Sequence, residues 1–268
     1  MEEDGGNDLY SFVSSDPINK TDFLGQYEID FHFYVIYYLM RAKCYSPSEA
    51  YDIAYNSQNV DDDHSTNPQL LGEREFGAWF VSDSLYNYWA KRLARYHFIN
   101  STQTTGTRAG DPSAVSAARS GLLAWSGGSG SAVNAGISLH VLADTWAHHD
   151  FTAFWDSGVN TKANPNHSDL TEDPDFSNYP AIGHAKYGHR PDEPYLRPRL
   201  ALSAAQLIFS IIPDKQSCGC TPLSLSTVNS DLEKQFSNSG SEYERAVAGQ
   251  QMIESRFGES VWYPDHSF

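Results

Sequence analysis

Cysteine, basic residues and long apolar runs are all scarce in this chain. The three cysteines, Cys44, Cys218 and Cys220, are an odd number and a poor disulfide framework. Cys218-Gly219-Cys220 reads as a loop with two incidental thiols, with a metal or redox pair as the alternative. No run approaches the roughly 18 apolar residues of a membrane-spanning helix. The first ten residues, MEEDGGNDLY, lack the basic and apolar regions of a signal peptide, so cytoplasm is the default location. Lysine and arginine number 18 against 34 acids, a formal charge of −16. Such a surface repels phosphate backbones, which disfavours long nucleic acid and anionic membranes as partners. Internal repeats and useful β-alternation are absent, which leaves an all-α chain.

The 268 residues are 40% hydrophobic and 13% aromatic, enough for a sizeable core. Residues 1–20 read as a loose arm and 21–268 as one helical domain of about seven helices. The aromatic run 28–44 is long enough for a buried helix. Ser46-Pro47-Ser48-Glu49 is a capping box that opens a helix through about Gln58. Residues 73–97 are amphipathic and helical. Asp111-Pro112 starts another helix through about Trp125, and 126-SGGSGS-131 is a turn. Residues 152–197 are long and irregular, the kind of segment that carries function. Residues 199–213 read as a buried helix, and Ser241-Glu242-Tyr243-Glu244 caps a last one that ends before Gly258.

The segment 137-ISLHVLADTWAHHDF-151 places three histidines and two aspartates in an apolar helix. Buried histidine and aspartate are costly unless each has a partner. At about 100° per residue, His140, Asp144 and His148 drift across an arc of roughly 80°, while His149 falls about 180° from His140. His148 is therefore preferred over His149. Two imidazoles with a carboxylate between them suit zinc or iron. The plainer alternative is a buried network in which Asp144 fixes two core histidines.

Other polar residues stand in similar contexts. His32 lies inside the aromatic run, two residues after Asp30. The pair share a metal only if the backbone there is irregular. Asp61, Asp62 and Asp63 follow a helix end, where negative charge sits badly without a cation. His97 lies between Tyr96 and Phe98. His184, His189, Asp192 and Glu193 fall within ten residues marked by glycine and proline, in a loop of the kind that delivers ligands to a site on rigid helices. About eight candidates exceed the four ligands of one tetrahedral ion and suffice for two or three.

The segments 29-IDFHFYVIYYLMRA-42, 46-SPSEAYDIAYNSQNVDD-62, 136-GISLHVLADTWAHHDF-151 and 183-GHAKYGHRPDEPY-195 together resemble a bacterial family of uncharacterised proteins. The ligand order is also similar, more distantly, to the zinc-dependent phospholipase C and P1-type nuclease superfamily, whose members are all-helical and hold three zinc ions. That resemblance implies His32 as the early ligand and Asp61 or Asp62 as the next acid. His97 follows, then His140 and Asp144 as the HxxxD pair, with Asp144 bridging two metals. It implies His148 and His184 as later ligands, with His189 or Asp192 in the place of an acid expected at Gly188. Asp30 substitutes for the superfamily's N-terminal tryptophan.

The resulting expectation is a hydrolase with two or three zinc ions acting on a phosphoester, such as a phospholipid headgroup or small phosphodiester. Asp144 bridges the ions, Asp62 or Asp61 serves as general base, and Trp146 and Phe151 offer an apolar wall for substrate. A di-iron oxygen-activating centre uses the same ligands. A closed structural metal site is the non-enzymatic alternative.

Overall fold

The computed structural model describes residues 29–68, 71, 74, 78, 81–102, 106–149, 153, 193–215 and 219–264. The protein is all-α. A π-helical turn, Asp30–Val35, runs directly into α1, Ile36–Ala42. There follow α2 (Pro47–Asp62), α3 (Asp83–Tyr96), α4 (Pro112–Ser126), α5 (Ala132–Ala147), α6 (Pro198–Ile211), α7 (Leu225–Phe236) and α8 (Glu242–Phe257). Among the described residues no strand forms, and only an isolated bridge joins Thr107 to His149. None of the described helices is long and apolar enough to cross a membrane.

Helix starts are set by local chemistry. Ser46 accepts from the Glu49 N–H, and Glu49 Oε2 accepts in return from the Ser46 N–H at 2.9 Å. Ser241 and Glu244 repeat the arrangement at α8, so both capping boxes form as the sequence implies. Asp111 caps α4 through the N–H of Ser113 at 2.8 Å, with Pro112 in the first turn. The segment 73–97 is not one helix. Ser82 is extended (φ −166°, ψ 147°) and caps a new start at Asp83, accepting from the Leu85 N–H. Helix α7 is additional to the sequence reading. Ser224 caps it, and Val228, Leu232 and Phe236 bury one face at i, i+4 and i+8.

Helix α5 is the centre of the packing. It lies against α2, α4, α6 and α3, and every residue from Leu139 to Ala147 is buried. Its approach to α2 depends on Gly136. A Cβ there would meet Asn56 Cβ at 2.6 Å and the Ile53 carbonyl oxygen at 2.8 Å. The π-turn packs between α2 and α8, with all six of its residues buried. On the α8 side Gly249 leaves room for Tyr34, whose Cβ would lie 2.7 Å from a Cβ at that position.

A disulfide joins Cys44 to Cys220 across 176 residues. This corrects the expectation that Cys220 is an incidental thiol. An odd cysteine count obscures a single bridge, and the pairing comes from tertiary approach. The chain before α7 lies along the end of α1, with the Lys215 N–H donating to the Lys43 carbonyl (3.0 Å) and the Leu223 N–H to that of Ala42 (2.9 Å). In the chain-entropy picture a loop of that length is worth about 5 kcal/mol.

Gly136→Ala tests the α2–α5 contact. Alanine gains about 1 kcal/mol of helix propensity over glycine, but the overlap is with backbone and Cβ atoms that have no room to yield. We expect a net loss of about 1–3 kcal/mol and a melting temperature lower by roughly 3–10 °C. An unchanged melting temperature in a calorimetric scan would show that the helices do not meet this closely.

Candidate metal centre

Four elements converge beneath the surface. The π-turn supplies His32, the last turn of α2 supplies Asp61, and the residue closing α3 is His97. Helix α5 supplies His140 and Asp144, and His148 closes it. All six side chains are at most 1% exposed.

Each is delivered by local geometry. In α5 the i, i+4 spacing puts His140 Nε2 3.1 Å from Asp144 Oδ2, as the helical periodicity requires. Helix α2 ends at Asp62, which places Asp61 at its negative end, where a carboxylate is disfavoured. The π-turn widens the first helix and sends successive polar residues to opposite sides. His32 turns to Asp144 (Nε2–Oδ1 3.0 Å). Asp30 turns to the buried guanidinium of Arg245 (3.4 Å). Single π-turns in helices are frequent at functional sites.

The two aspartates face one another across the histidines. Asp144 Oδ1 meets His32, while Oδ2 meets His97 Nδ1 at 3.0 Å and His140 Nε2 at 3.1 Å. Asp61 is arranged the same way round. Its Oδ2 lies 3.9 Å from His32 Nε2, and its Oδ1 lies 3.5 Å from His140 Nε2 and 3.9 Å from His97 Nδ1. Two overlapping triads result, His32/Asp61/His140 and His97/His140/Asp144, and in each one donor atom per residue lies within 4.8 Å of the others.

Hydrogen bonds to carbonyl groups decide which ring nitrogens are lone pairs. A carbonyl oxygen only accepts. His97 Nε2, 2.8 Å from the Thr66 carbonyl oxygen, therefore carries the hydrogen. In the neutral ring Nδ1 is then a lone pair, aimed at a carboxylate oxygen 3.0 Å away and at His140 Nε2 3.3 Å away. Fixing a tautomer by a carbonyl on the far nitrogen is the usual outer support of a metal-ligating histidine. His148 is held the other way round, with Nδ1–H donating to the His97 carbonyl from the side of the ring nearer the carboxylate. That same nitrogen lies 3.6 Å from Asp144 Oδ2, and the ring stacks on Phe98 at 4.4 Å. His140 Nδ1 meets no hydrogen-bond partner among the described residues. That ring is oriented instead by stacking on His32, with centroids 4.0 Å apart.

The protonation pattern suits a cation. Burial, with His140 beside it, pushes His32 down to about 3, so its ring is neutral at neutral pH. For Asp144 burial acts against the charge, but His140 and His148 more than offset it and hold the carboxyl well below the usual range. The donor set, imidazole with carboxylate around a buried point, can hold a metal ion.

Several residues singled out from sequence lie elsewhere. Asp62 is exposed and accepts from the Tyr263 hydroxyl at 2.5 Å, because one residue along a helix turns a side chain away from Asp61. Asp30 sits with Arg245 and not with His32. Trp146 is buried, with its ring against Gly110, so it packs the core. His149 is half-exposed and pairs by backbone with Thr107. Phe151, His184, His189 and Asp192 lie outside the described residues.

Two supports were not read from sequence. The Thr66 carbonyl is a backbone atom and has no sequence signature. Buried Arg197 donates to the carbonyls of Ala147 (2.8 Å) and Trp146 (3.4 Å), fixing the end of α5 just before His148. The signal for Arg197 was an arginine leading into an apolar helix, and a cation at a helix C-terminus is favourable.

No curated protein matches the chain, and no solved structure does. Residues 27–203, more than half of the chain and inclusive of all six clustered residues, match the family of unknown function DUF6765. The protein belongs to that family.

Proposed function

We propose that the protein is a metal-dependent hydrolase with two divalent ions at this centre, and that its substrate is a small phosphoester. The observation that carries the reading is the division of Asp144. One oxygen faces His32 and the other faces His97 and His140, and Asp61 spans the same two sides. Two cations, if bound, would share these carboxylates and would each be offered imidazole nitrogen.

The residues fit such ions on their own chemistry. His97 directs a lone pair inward because the Thr66 carbonyl holds its one ring hydrogen on the far nitrogen, and His32 is neutral. Zinc and iron both accept this donor set, and zinc is the first choice because no redox partner is required. When bound, a pair of divalent ions supplies Lewis-acid polarisation and a nucleophile at neutral pH, and clamps both oxygens of an in-line displacement. That chemistry favours a phosphoester. Asp144 holds the two halves at fixed separation, Asp61 accepts a proton from an attacking water, and the buried walls exclude bulk solvent. The charge of −16 favours a small or zwitterionic substrate, such as a lipid headgroup, over long nucleic acid.

Elemental analysis of untagged protein tests the centre first, with about two divalent ions per chain expected for this ligand count. His140→Ala and Asp144→Asn should each lose most of that metal while remaining folded by circular dichroism. Protein that stays metal-free after reconstitution with zinc or iron would remove the basis of the proposal.

A second comparison separates neighbours. Asp61→Asn should weaken metal binding by more than the 10–100-fold typical of outer-shell changes. Asp62→Asn, whose partner is Tyr263, should leave stoichiometry and affinity as they are. Equal effects of the two would mean that the α2 terminus is turned differently.

Activity is read on bis(p-nitrophenyl) phosphate. Chelation should abolish turnover and zinc should restore it, with Asp144→Asn inactive under both conditions. A metal-loaded protein inactive on phosphomonoesters, phosphodiesters and phospholipids alike would sink the hydrolase reading and leave the metal site standing.

A further inference from the structure

Helix α3 buries one face and leaves the other apolar as well. Tyr86, Ala90, Leu93 and Ala94 pack inward in a small cluster with Leu71 and Phe98. On the opposite side, Leu85, Tyr88, Arg92 and Arg95 recur at i, i+3, i+7 and i+10, within an arc of about 80°. Leu85 is 40% exposed and Tyr88 55%, and Val81, just ahead of the Ser82 cap, is 73% exposed. Single exposed apolar residues are ordinary, but a group of them marks a contact surface. The other large apolar side chains at the surface, Leu123, Val133, Leu225, Tyr243 and Trp262, are spread over other elements.

The second half of the same face is basic. Lys91 and Arg95 are exposed and have no acidic partner at ion-pair distance among the described residues. Arg92 donates to the Ser65 carbonyl at 2.8 Å, and Asp63 lies near enough to feel its charge. Aromatic rings are interleaved with these cations. Arg92 and Arg95 lie 5.8 and 5.6 Å from the Tyr96 ring, and exposed Arg74 lies 5.1 Å over Trp89. Trp89 in turn meets Tyr88 edge-on at 4.8 Å. Residues 81–96 hold Lys91, Arg92 and Arg95 against Asp83 alone, in a chain whose formal charge is −16. The total charge that disfavours anionic membranes therefore averages over a face of the opposite sign.

We propose that the outer face of α3 docks the protein on an anionic phospholipid surface. Val81, Leu85 and Tyr88 enter the headgroup boundary, and Lys91, Arg92, Arg95 and Arg74 meet the anionic headgroups. Apolar tips, interfacial aromatics and cations together are what a peripheral membrane contact requires. At its exposure Val81 stands out from the surface, as an inserting residue does and a groove-lining one does not. The screening length is about 8 Å at physiological salt, so the charge of the docked face counts for more than that of the acidic remainder. The attachment is peripheral, since no described helix is long and apolar enough to cross a membrane. Helix α3 ends in His97, so the docked helix also carries a residue of the metal centre. The attachment is independent of the chemistry at that centre.

The test mixes the full chain with sucrose-loaded vesicles of phosphatidylcholine, with or without phosphatidylglycerol, and reads the bound fraction after sedimentation. Each Lys or Arg close to an anionic surface contributes about fivefold to partition. Vesicles with phosphatidylglycerol should therefore bind at least about tenfold more tightly, and high salt should remove most of the difference. Lys91→Gln combined with Arg95→Gln should weaken the binding by roughly 20–30-fold. Leu85→Ser combined with Tyr88→Ser should weaken it by at least about tenfold, with circular dichroism unchanged in both variants. Tyr243→Ser, at an exposed position on α8, should bind as the parent does. Binding that ignores phosphatidylglycerol, or that survives the loss of Lys91 and Arg95, overturns the proposal. So does a dimer, seen by sedimentation equilibrium without lipid, that the Leu85 and Tyr88 variant dissociates, because the face would then belong to a second copy of the chain.

Discussion

A carboxylate in the buried half of α5 governs the structure. Asp144 is fully enclosed, and removing such a charge from water costs several kcal/mol before any partner is counted. Three elements answer it, with His32 from the π-turn, His97 from the end of α3 and His140 from the preceding turn of α5. Contacts of 3.0–3.1 Å leave little tolerance, so the helices that carry these residues must pack to a fixed depth. Gly136 sets that depth between α5 and α2, where even a methyl group would collide with Asn56 and Ile53. The small residue is thus a condition of the polar cluster as much as of the apolar core around it.

The π-turn serves the same constraint from the other side. Asp30 and His32 are both buried and both polar, and in a chain this apolar each needs a partner. The turn sends them to opposite neighbours. Asp30 is drawn to Arg245 on α8 while His32 reaches α5. Gly249 lets α8 come close enough over Tyr34 for the first of these contacts. The six-residue turn therefore links the C-terminal helix to the centre, through ion-pair and imidazole contacts made two residues apart.

The parts of this arrangement that were legible in sequence are those governed by local periodicity. His140 and Asp144 follow from i, i+4, and the choice of His148 over His149 follows from the same rotation. The capping boxes at Ser46 and Ser241 and the Asp111-Pro112 start have a local cause and a local signature. Val228, Leu232 and Phe236 carried an equally clear signal for α7, hidden by a serine- and asparagine-rich setting. What was illegible depends on distant chain. Nothing near Asp62 announces that Tyr263, some two hundred residues on, will hold it at the surface while Asp61 turns inward. The same is true of Cys44 and Cys220, and of the Thr66 carbonyl that fixes the His97 tautomer.

The count of hydrogens within the cluster weighs a cation against a purely polar network. A neutral imidazole carries one N–H. His97 gives its hydrogen to Thr66, and His148 gives its own to the carbonyl of His97. The first is directed away from the carboxylate pair, and the second is taken by a backbone carbonyl although its nitrogen lies 3.6 Å from Asp144 Oδ2. That leaves His32 and His140 as the donors within the cluster for four carboxylate oxygens. A network built for its own sake would turn the Nδ1–H of His97 toward Asp144, which lies 3.0 Å away. The Thr66 carbonyl instead selects the tautomer with a lone pair there. Two carboxylates and an inward lone pair around one buried point are unfavourable among themselves and favourable around positive charge. The surrounding fold holds that tautomer in place through Thr66 Oγ1, which donates to the Val60 carbonyl at 2.7 Å and ties the loop to the same helix end that presents Asp61.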